Sequence, residues 1–423
     1  MKCAILILCV GLCSFTSSAT AAEDPLVRRE GKYLELITDL DSEQEINTIV
    51  STFDYAVEQW VAFWNDQNFD PATFRIQAYV MRNEATFRSH GLIPIQVPDF
   101  NFGYALNQQI WIKAQPSEYY TRHLVLHEGV HAYMFDAFGG AGTTWFQEGT
   151  AELLGLHSSS GNSVLVNSIP ASREQVPFWG RFKRMEQIRQ ENKVPTVETV
   201  MGYRPNLLGD VGSYSWSWAL VQLLQGYPEY RETLIDAAQQ GADQGTGFNR
   251  IVSGDLKDQW PIVSARWRLL CEDLDYGFDW ERERVAISVK DPLWQGQPLE
   301  LSVRADQGWQ SIGVRVPGGI KIRFAAEGKI TLAETTRPWI SEPAGITLQY
   351  HRNRPLGQLL VCILPNAMPD NAESLEPLEI HAIDEEKLLE IDQYSWLLFR
   401  VNDSVGSLSD NQGDFRVNLT VGS

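Results

Sequence analysis

The spacing of the apolar residues changes once along the chain, near residue 283, and this change limits the possible folds more than any other feature. Before it, apolar side chains recur at helical spacing, as in the stripe that follows a capping box at Ser42 and Glu45. After it, short alternating runs are separated by Gly, Pro, Asn and Asp, which is typical of antiparallel β-structure. The helical stripe consists of Ile46, Ile49, Val50, Phe53, Val57, Trp60, Val61 and Trp64.

A chain of 423 residues is too long for one ordinary core, so we predict an α+β protein with two domains. Residues 23–283 are expected to form a mainly helical domain with a small sheet. Residues 284–423 are expected to form an all-β sandwich. Within the first domain the pattern predicts helices at 118–138 and 178–191, among others, and a helix start at Thr144 with a capping box to Gln147.

The formal net charge of −19 disfavours two classes of partner. Nucleic acids and anionic membrane surfaces are both negatively charged and repel such a chain. We therefore expect no nucleic acid and no anionic membrane surface among its partners.

Residues 1–22 have the features of an export signal. Lys2 supplies a positive start, an apolar run follows at 4–12, and small residues at 17–22 offer a cleavage site. A lipoprotein signal at Cys13 is the alternative, but Leu12 is bulky for the residue before a lipidated cysteine. The apolar run is too short to span a bilayer, and no later segment is long enough. We predict a secreted or periplasmic protein without a transmembrane segment.

Two cysteines remain after such a signal is removed, Cys271 and Cys362. Two cysteines do not make a disulfide framework, and neither has metal-ligand spacing to the other. We expect two buried free thiols, with a single interdomain disulfide as the less favoured alternative.

The string His127-Glu128-Gly129-Val130-His131 indicates a zinc site. Residues four apart lie one turn above each other on a helix, so both imidazoles face one side and can bind one Zn²⁺. Glu128 can reach the attacking water without being a ligand and can act as the catalytic base. The alternative is a helix with two histidines that serve only the core or the surface. His123 lies on the same face, but one straight helix cannot supply three tetrahedral ligands. We therefore expect His123 to support a ligand from outside the coordination sphere or to have a structural role.

A third zinc ligand is predicted in the segment Trp145-Phe146-Gln147-Glu148-Gly149-Thr150-Ala151-Glu152. Glu148 follows His131 on the next helix and supplies the carboxylate. Glu152 lies one turn further and is placed to accept a ring N–H from a ligating histidine, which would orient that ring. Its alternative is a solvated helix carboxylate.

These two motifs together resemble the gluzincin metallopeptidases, in which the glutamate before the glycine is the third zinc ligand. The order of elements over roughly residues 33–238 is similar to the bacterial peptidase-MA-like group, which adds a Tyr-x-x-x-Trp-Ala-Leu helix, here Tyr214 to Leu220. The resemblance implies a zincin-like fold, hydrolysis of a peptide bond in a peptide or protein substrate, and a hydrogen bond from Tyr214 to the oxyanion. An aromatic residue that packs on Trp218 is the alternative interpretation of Tyr214.

The segment 402–413, between two predicted strands, is rich in the hard oxygen ligands that calcium prefers. It resembles the calcium-binding loop of a galactophilic bacterial lectin and its family of β-sandwich modules. That resemblance implies Ca²⁺ ligands at Asp403, Ser407, Asp410 and Asn411, and glycans as partners. No counterpart of the family's additional ligand is found around 333–342. Ordinary turn chemistry is the alternative explanation of the loop.

The function we expect is that of a secreted zinc metallopeptidase with a lectin-like sandwich that targets or stabilises it. Two alternatives stay open at the level of sequence. One is a surface glycan-binding protein with little or no catalysis, in which the zincin domain is a scaffold. The other is zinc-dependent hydrolysis of a non-peptide amide, because the metal chemistry is shared.

Overall fold

The computed structural model describes residues 26–160, 163–207, 209–333, 337–366 and 372–422. The predicted export signal at 1–22 lies outside these residues. Within them, no helix has both the length and the apolar character needed to cross a membrane. The chain has a helical N-terminal part and a sheet-rich C-terminal part, so the α+β prediction is confirmed at that level.

The N-terminal part begins with a five-stranded sheet in the order β1-β2-β3-β5-β4. Strands β2, β3 and β5 run parallel, while β1 and β4 lie antiparallel at the two edges. The turn between β4 and β5 uses Asn107 at φ 53°, a left-handed conformation that asparagine tolerates. The strands are β1 (Val27–Glu30), β2 (Leu34–Thr38), β3 (Ile76–Met81), β4 (Gly103–Leu106) and β5 (Gln109–Lys113).

Helices pack beside this sheet and continue to residue 283. They are α1 (Glu43–Trp64), α2 (Glu84–Ser89), α3 (Glu118–Phe138), α4 (Thr144–Gly155), α5 (Arg181–Gln190), α6 (Val197–Met201), α7 (Val211–Gly226), α8 (Arg231–Gln239), α9 (Thr246–Asp255), α10 (Trp260–Asp273) and α11 (Trp280–Glu283). A short hairpin of β6 (His157–Ser160) and β7 (Ser163–Val166) follows α4.

The observed helix boundaries show where local sequence signals predicted the ends of the helices correctly. Ser42 accepts a hydrogen bond from the Glu45 N–H at the start of α1, and α3 ends at Gly139 in the left-handed conformation, both as predicted. Helix α4 is capped by Thr143, one residue before the predicted start, and without a side-chain hydrogen bond. Helix α5 begins at Arg181 and not at 178, because Phe178 and Gly180 both have positive φ.

The C-terminal part contains two four-stranded antiparallel sheets, in the orders β17-β10-β19-β8 and β16-β15-β18-β9. Residues of both sheets contribute to one apolar core, so the two sheets face each other as in a sandwich. Its strands are β8 (Leu299–Arg304), β9 (Gln310–Val316), β10 (Ile320–Gly328), β11 (Ile330–Thr331), β12 (Ile340–Ser341), β13 (Ile346–His351), β14 (Arg354–Leu356), β15 (Leu359–Pro365), β16 (Glu379–Ile383), β17 (Glu386–Ile391), β18 (Ser395–Val401) and β19 (Asp414–Val421).

The two parts share a core. Helix α10 packs on the outer face of the sheet that contains β15 and β18, and this explains why both strands are buried at nearly every position. Cys271 and Cys362 are buried and unpaired, which confirms the expected free thiols. The apolar contact is formed by Ile262, Ala265, Leu269, Val285, Ile287, Trp309, Leu360, Cys362, Leu364, Trp396 and Leu398.

Candidate metal centre

Helices α3 and α4 bring the three predicted zinc ligands together. The Nε2 atoms of His127 and His131 lie 3.2 and 3.7 Å from Oε2 of Glu148, and all three side chains are buried. Ligand atoms about 2.0–2.1 Å from a tetrahedral zinc are about 3.3 Å apart, so these separations suit one ion. Helix α4 also packs closely against α7 at Gly149, where a methyl group would lie 2.5 Å from the Ser217 carbonyl oxygen.

The electrostatics of this group favour a cation. Burial opposes the charged form of His127, but Glu148, Glu152 and Glu128 outweigh that effect and raise its pKa to about 9. Burial also opposes ionisation of Glu148, but His131 and His127 lower its pKa to about 2. The carboxylates that raise the pKa of His127 favour positive charge at this position, and a divalent cation bound to the deprotonated imidazole would supply that charge in place of the proton. The group can therefore hold a metal ion, as its geometry also indicates.

Glu128 lies beside the ligands and under the edge strand β4. A Cβ atom built on Gly103 of β4 would be 2.5 Å from Oε1 of Glu128, so the glycine leaves the space that the carboxylate occupies. Burial raises the pKa of Glu128, and His131 and His127 partly oppose that shift. A carboxyl group with a raised pKa is a stronger proton acceptor, which suits a general base.

Tyr214, near the start of α7, is brought to the same site. Its ring centroid lies 6.1 Å from that of His127, and its hydroxyl accepts a hydrogen bond from the Gly209 N–H. That acceptor role leaves the hydroxyl proton free to be donated elsewhere. Burial raises the pKa of Tyr214, with Glu148 adding to the shift, so the side chain stays protonated near neutral pH.

Glu152 is fully buried, so the solvated alternative for this carboxylate is wrong. Its Oε1 lies 3.5 Å from Nδ1 of His127, and its Oε2 lies 3.5 Å from Nε2 of His123. His123, His127 and Glu152 also lie close enough together to hold one metal ion, but they share His127 with the first group. One imidazole thus faces Glu148 through Nε2 and Glu152 through Nδ1, which is the arrangement of a ligand and its orienting carboxylate.

Two residues near Glu152 were not predicted from the sequence. Trp179 donates its indole N–H to Glu152 Oε2 at 3.0 Å, and the guanidinium of Arg181 binds Oε1. Arg181 lies 29 positions from Glu152, and no local spacing pattern links them. His157, which follows α4 in the chain, stacks on Tyr119 with ring centroids 4.6 Å apart.

The four predicted calcium ligands do not share one environment. Asp403 and Asn411 are buried and hydrogen bond to each other at 3.0 Å, whereas Ser407 and Asp410 are exposed on a 3₁₀ helix at Val405–Asp410. Among the described residues, groupings of three or more His, Cys, Asp and Glu side chains that suit a metal lie in the helical part.

This loop is also in contact with the helical part. Val405 belongs to the helical core, and a methyl group on Gly277 would lie 2.5 Å from Cα of Gly406. The loop end of the sandwich is therefore an internal contact surface at this point.

No family model and no curated protein sequence matches the chain. Among solved structures, the chain is similar to one described as "EclA N-terminal domain; PllA-like lectin", with 18% sequence identity and a TM-score of 0.23. The match covers 29% of this chain and 96% of that one. A TM-score this low supports no inference about function.

Proposed function

We propose that this chain is an exported zinc metallopeptidase of the gluzincin type. The observation that carries the proposal is the buried triangle of His127 Nε2, His131 Nε2 and Glu148 Oε2, with the Glu128 carboxylate beside it. Two imidazoles and one carboxylate form one of the three-ligand sets with which proteins hold catalytic zinc, leaving a fourth position open.

The residues of the site divide the chemistry between them. A zinc ion held by His127, His131 and Glu148 would supply Lewis acidity. Glu128 accepts the proton of the attacking water, because its buried carboxyl has a raised pKa and lies next to the ligands. Tyr214 donates a hydrogen bond to the oxygen that becomes negative as the carbonyl is attacked.

Strand β4 supports a peptide as the substrate. In the described part of the chain it pairs with β5 on one side only, and its Gly103 lies directly against Glu128. An extended peptide can add to such an edge by main-chain hydrogen bonds, which would place its carbonyl groups near the base. A non-peptide amide lacks the repeating N–H and C=O groups that this edge would pair with.

The glycan-binding alternative gains no support from the predicted lectin loop. Asp403 and Asn411 are occupied with each other, and Val405 and Gly406 pack against the helical part. We propose that the sandwich stabilises the catalytic part through the shared core with α10.

Metal analysis combined with peptide cleavage tests the proposal. The purified protein should contain about one zinc per chain and cleave members of a proteome-derived peptide mixture. Glu128→Gln should retain zinc and lose cleavage by roughly 10²-fold or more, because the base is gone and the ligands remain. Glu148→Ala should lose both zinc and cleavage.

Glu118→Gln is a matched control, since Glu118 is an exposed glutamate at the start of the same helix. It should leave zinc content and cleavage unchanged. Stoichiometric zinc with full cleavage by Glu128→Gln would show that Glu128 is not the base. Absence of zinc from the wild-type protein in zinc-containing buffer would refute the proposal as a whole.

A further inference from the structure

The segment before α5 is strained in a way that calls for an explanation. Phe178 has φ 71° and is 66% exposed, and Gly180 follows at φ 67°. A bulky side chain rarely adopts the left-handed region, and such strain persists where the surrounding structure imposes it, often at functional sites. These two positive-φ residues lie on either side of Trp179 and precede Arg181, and the side chains of Trp179 and Arg181 are both buried.

The strained segment directs Trp179 and Arg181 to one carboxylate. Trp179 donates to Oε2 of Glu152 while its ring packs edge-on against Trp218, with centroids 5.2 Å apart. Arg181 binds Oε1 of Glu152 and also donates to the Trp179 carbonyl at 2.7 Å and to the Tyr120 hydroxyl at 3.3 Å. Each oxygen of Glu152 thereby accepts a hydrogen bond from this segment.

Arg181 and Glu152 each lie at the helix end where the helix dipole disfavours their charge. Arg181 is the first residue of α5, where the helix dipole favours an anion, and Glu152 lies in the last turn of α4, where it favours a cation. Both side chains are also buried, and the desolvation penalty of a buried ion pair can exceed its attraction. Local rules broken together at one place are expected at a functional site.

We infer that Arg181, assisted by Trp179, is a positioning residue for the metal centre. It neutralises and orients the Glu152 carboxylate, which in turn faces Nδ1 of His127 and leaves Nε2 of that ring directed at Glu148. Arg181 is not one of the predicted metal ligands, and we assign its effect to Glu152, although its guanidinium carbon also lies 6.0 Å from the ring centroid of Tyr214. The inference rests on the proposed function, because a zinc centre is what the oriented imidazole serves.

Zinc affinity of folded variants tests this chain of contacts without relying on activity. Dissociation constants would be measured by competition with a chromophoric chelator for wild type, Arg181→Met, Arg181→Lys, Trp179→Phe, Glu152→Gln and the double variant Glu152→Gln/Arg181→Met. Trp179→Phe removes the indole donor and keeps a ring at that position. The visible spectrum of the cobalt-loaded proteins reports ligand geometry independently.

We expect Arg181→Met to weaken zinc binding by roughly 10–100-fold, the range seen when a group that orients a ligand is lost. Arg181→Lys should recover part of that loss, and Trp179→Phe should show a smaller one. In the Glu152→Gln background, Arg181→Met should add no further loss, because its target carboxylate is already absent. Circular dichroism would confirm that each variant is folded.

Arg266→Met is the matched control. Arg266 is another buried arginine of the helical part, paired with Glu229 and Tyr230 and with neither zinc motif. Its loss should leave zinc affinity and the cobalt spectrum unchanged even if stability falls.

Wild-type zinc affinity in folded Arg181→Met, or losses that add up in the double variant, would overturn the inference and leave the proposed function intact. If Arg181→Met does not fold, Arg181→Lys and Trp179→Phe decide the question, and zinc affinity equal to that of wild type in both would overturn the inference. A wild-type protein that binds no zinc would instead refute the proposed function, and the inference with it.

Discussion

Gly103 gives the sharpest test of how the site is built, because a substitution there should affect the proposed base Glu128 without affecting the proposed metal ligands. A Cβ atom at this position would lie 2.5 Å from Oε1, 2.7 Å from Cγ and 2.9 Å from Cδ of Glu128. Ordinary contact begins near 3.4 Å, so Gly103→Ala must displace the carboxylate by about 1 Å. The φ of Gly103 is not in the left-handed region, so alanine adds a steric clash without backbone strain.

A displacement of about 1 Å in a catalytic group can reduce the rate by roughly 10²-fold. We therefore expect kcat/KM of Gly103→Ala to fall about 100-fold while zinc content stays stoichiometric, as measured by peptide cleavage and metal analysis. Gly254→Ala is the control, because no atom lies within 4 Å of the added methyl group. Wild-type kcat/KM in zinc-loaded Gly103→Ala would refute the reasoning. Loss of zinc would also contradict it, since the clash would then reach the ligands.

Two further predictions concern Tyr214 and the contact between the two parts. Tyr214→Phe should reduce kcat by roughly 10²-fold with unchanged zinc affinity, since it removes one donor to the oxyanion; an unchanged kcat would exclude that role. Burial raises the pKa of Glu283 to about 7. Arg400 does not cancel this shift, because it lies 4.0 Å from Glu283 and is bound more closely by Asp273, at 2.8 Å. The folded state then retains a proton that the unfolded state releases near its ordinary value of 4.5, so stability falls as the pH rises through this window. The free energy of unfolding of Glu283→Gln, measured in urea and compared with that of wild type, should increase by about 2–3 kcal/mol as the pH rises from about 5 to about 8. A difference between the two proteins that does not change with pH would contradict the assigned shift.

The composition of the loop at 402–413 predicted its place between two strands, but not its contact with the helical part. Its oxygen-rich residues do lie between two strands, as predicted, and Asp403 does turn inward. Val405, however, packs into the core of the helical part, and no local sequence pattern predicts that contact. The continuous apolar runs of β15 and β18 were the available signal, because a strand buried on both faces must be covered by something beyond its own sandwich.

What could be determined from the sequence alone was the local geometry of the metal site. His127 and His131 are one helical turn apart, and the helix that carries them is specified by nearby caps and by the glycine at its end, so short-range rules suffice. The distance of Glu148 from those rings, the space over Glu128 at Gly103, and the contacts of Trp179 and Arg181 with Glu152 depend on how distant elements pack. Packing is decided by the fit of whole surfaces, and it can impose a strained conformation at Phe178 that local propensity argues against.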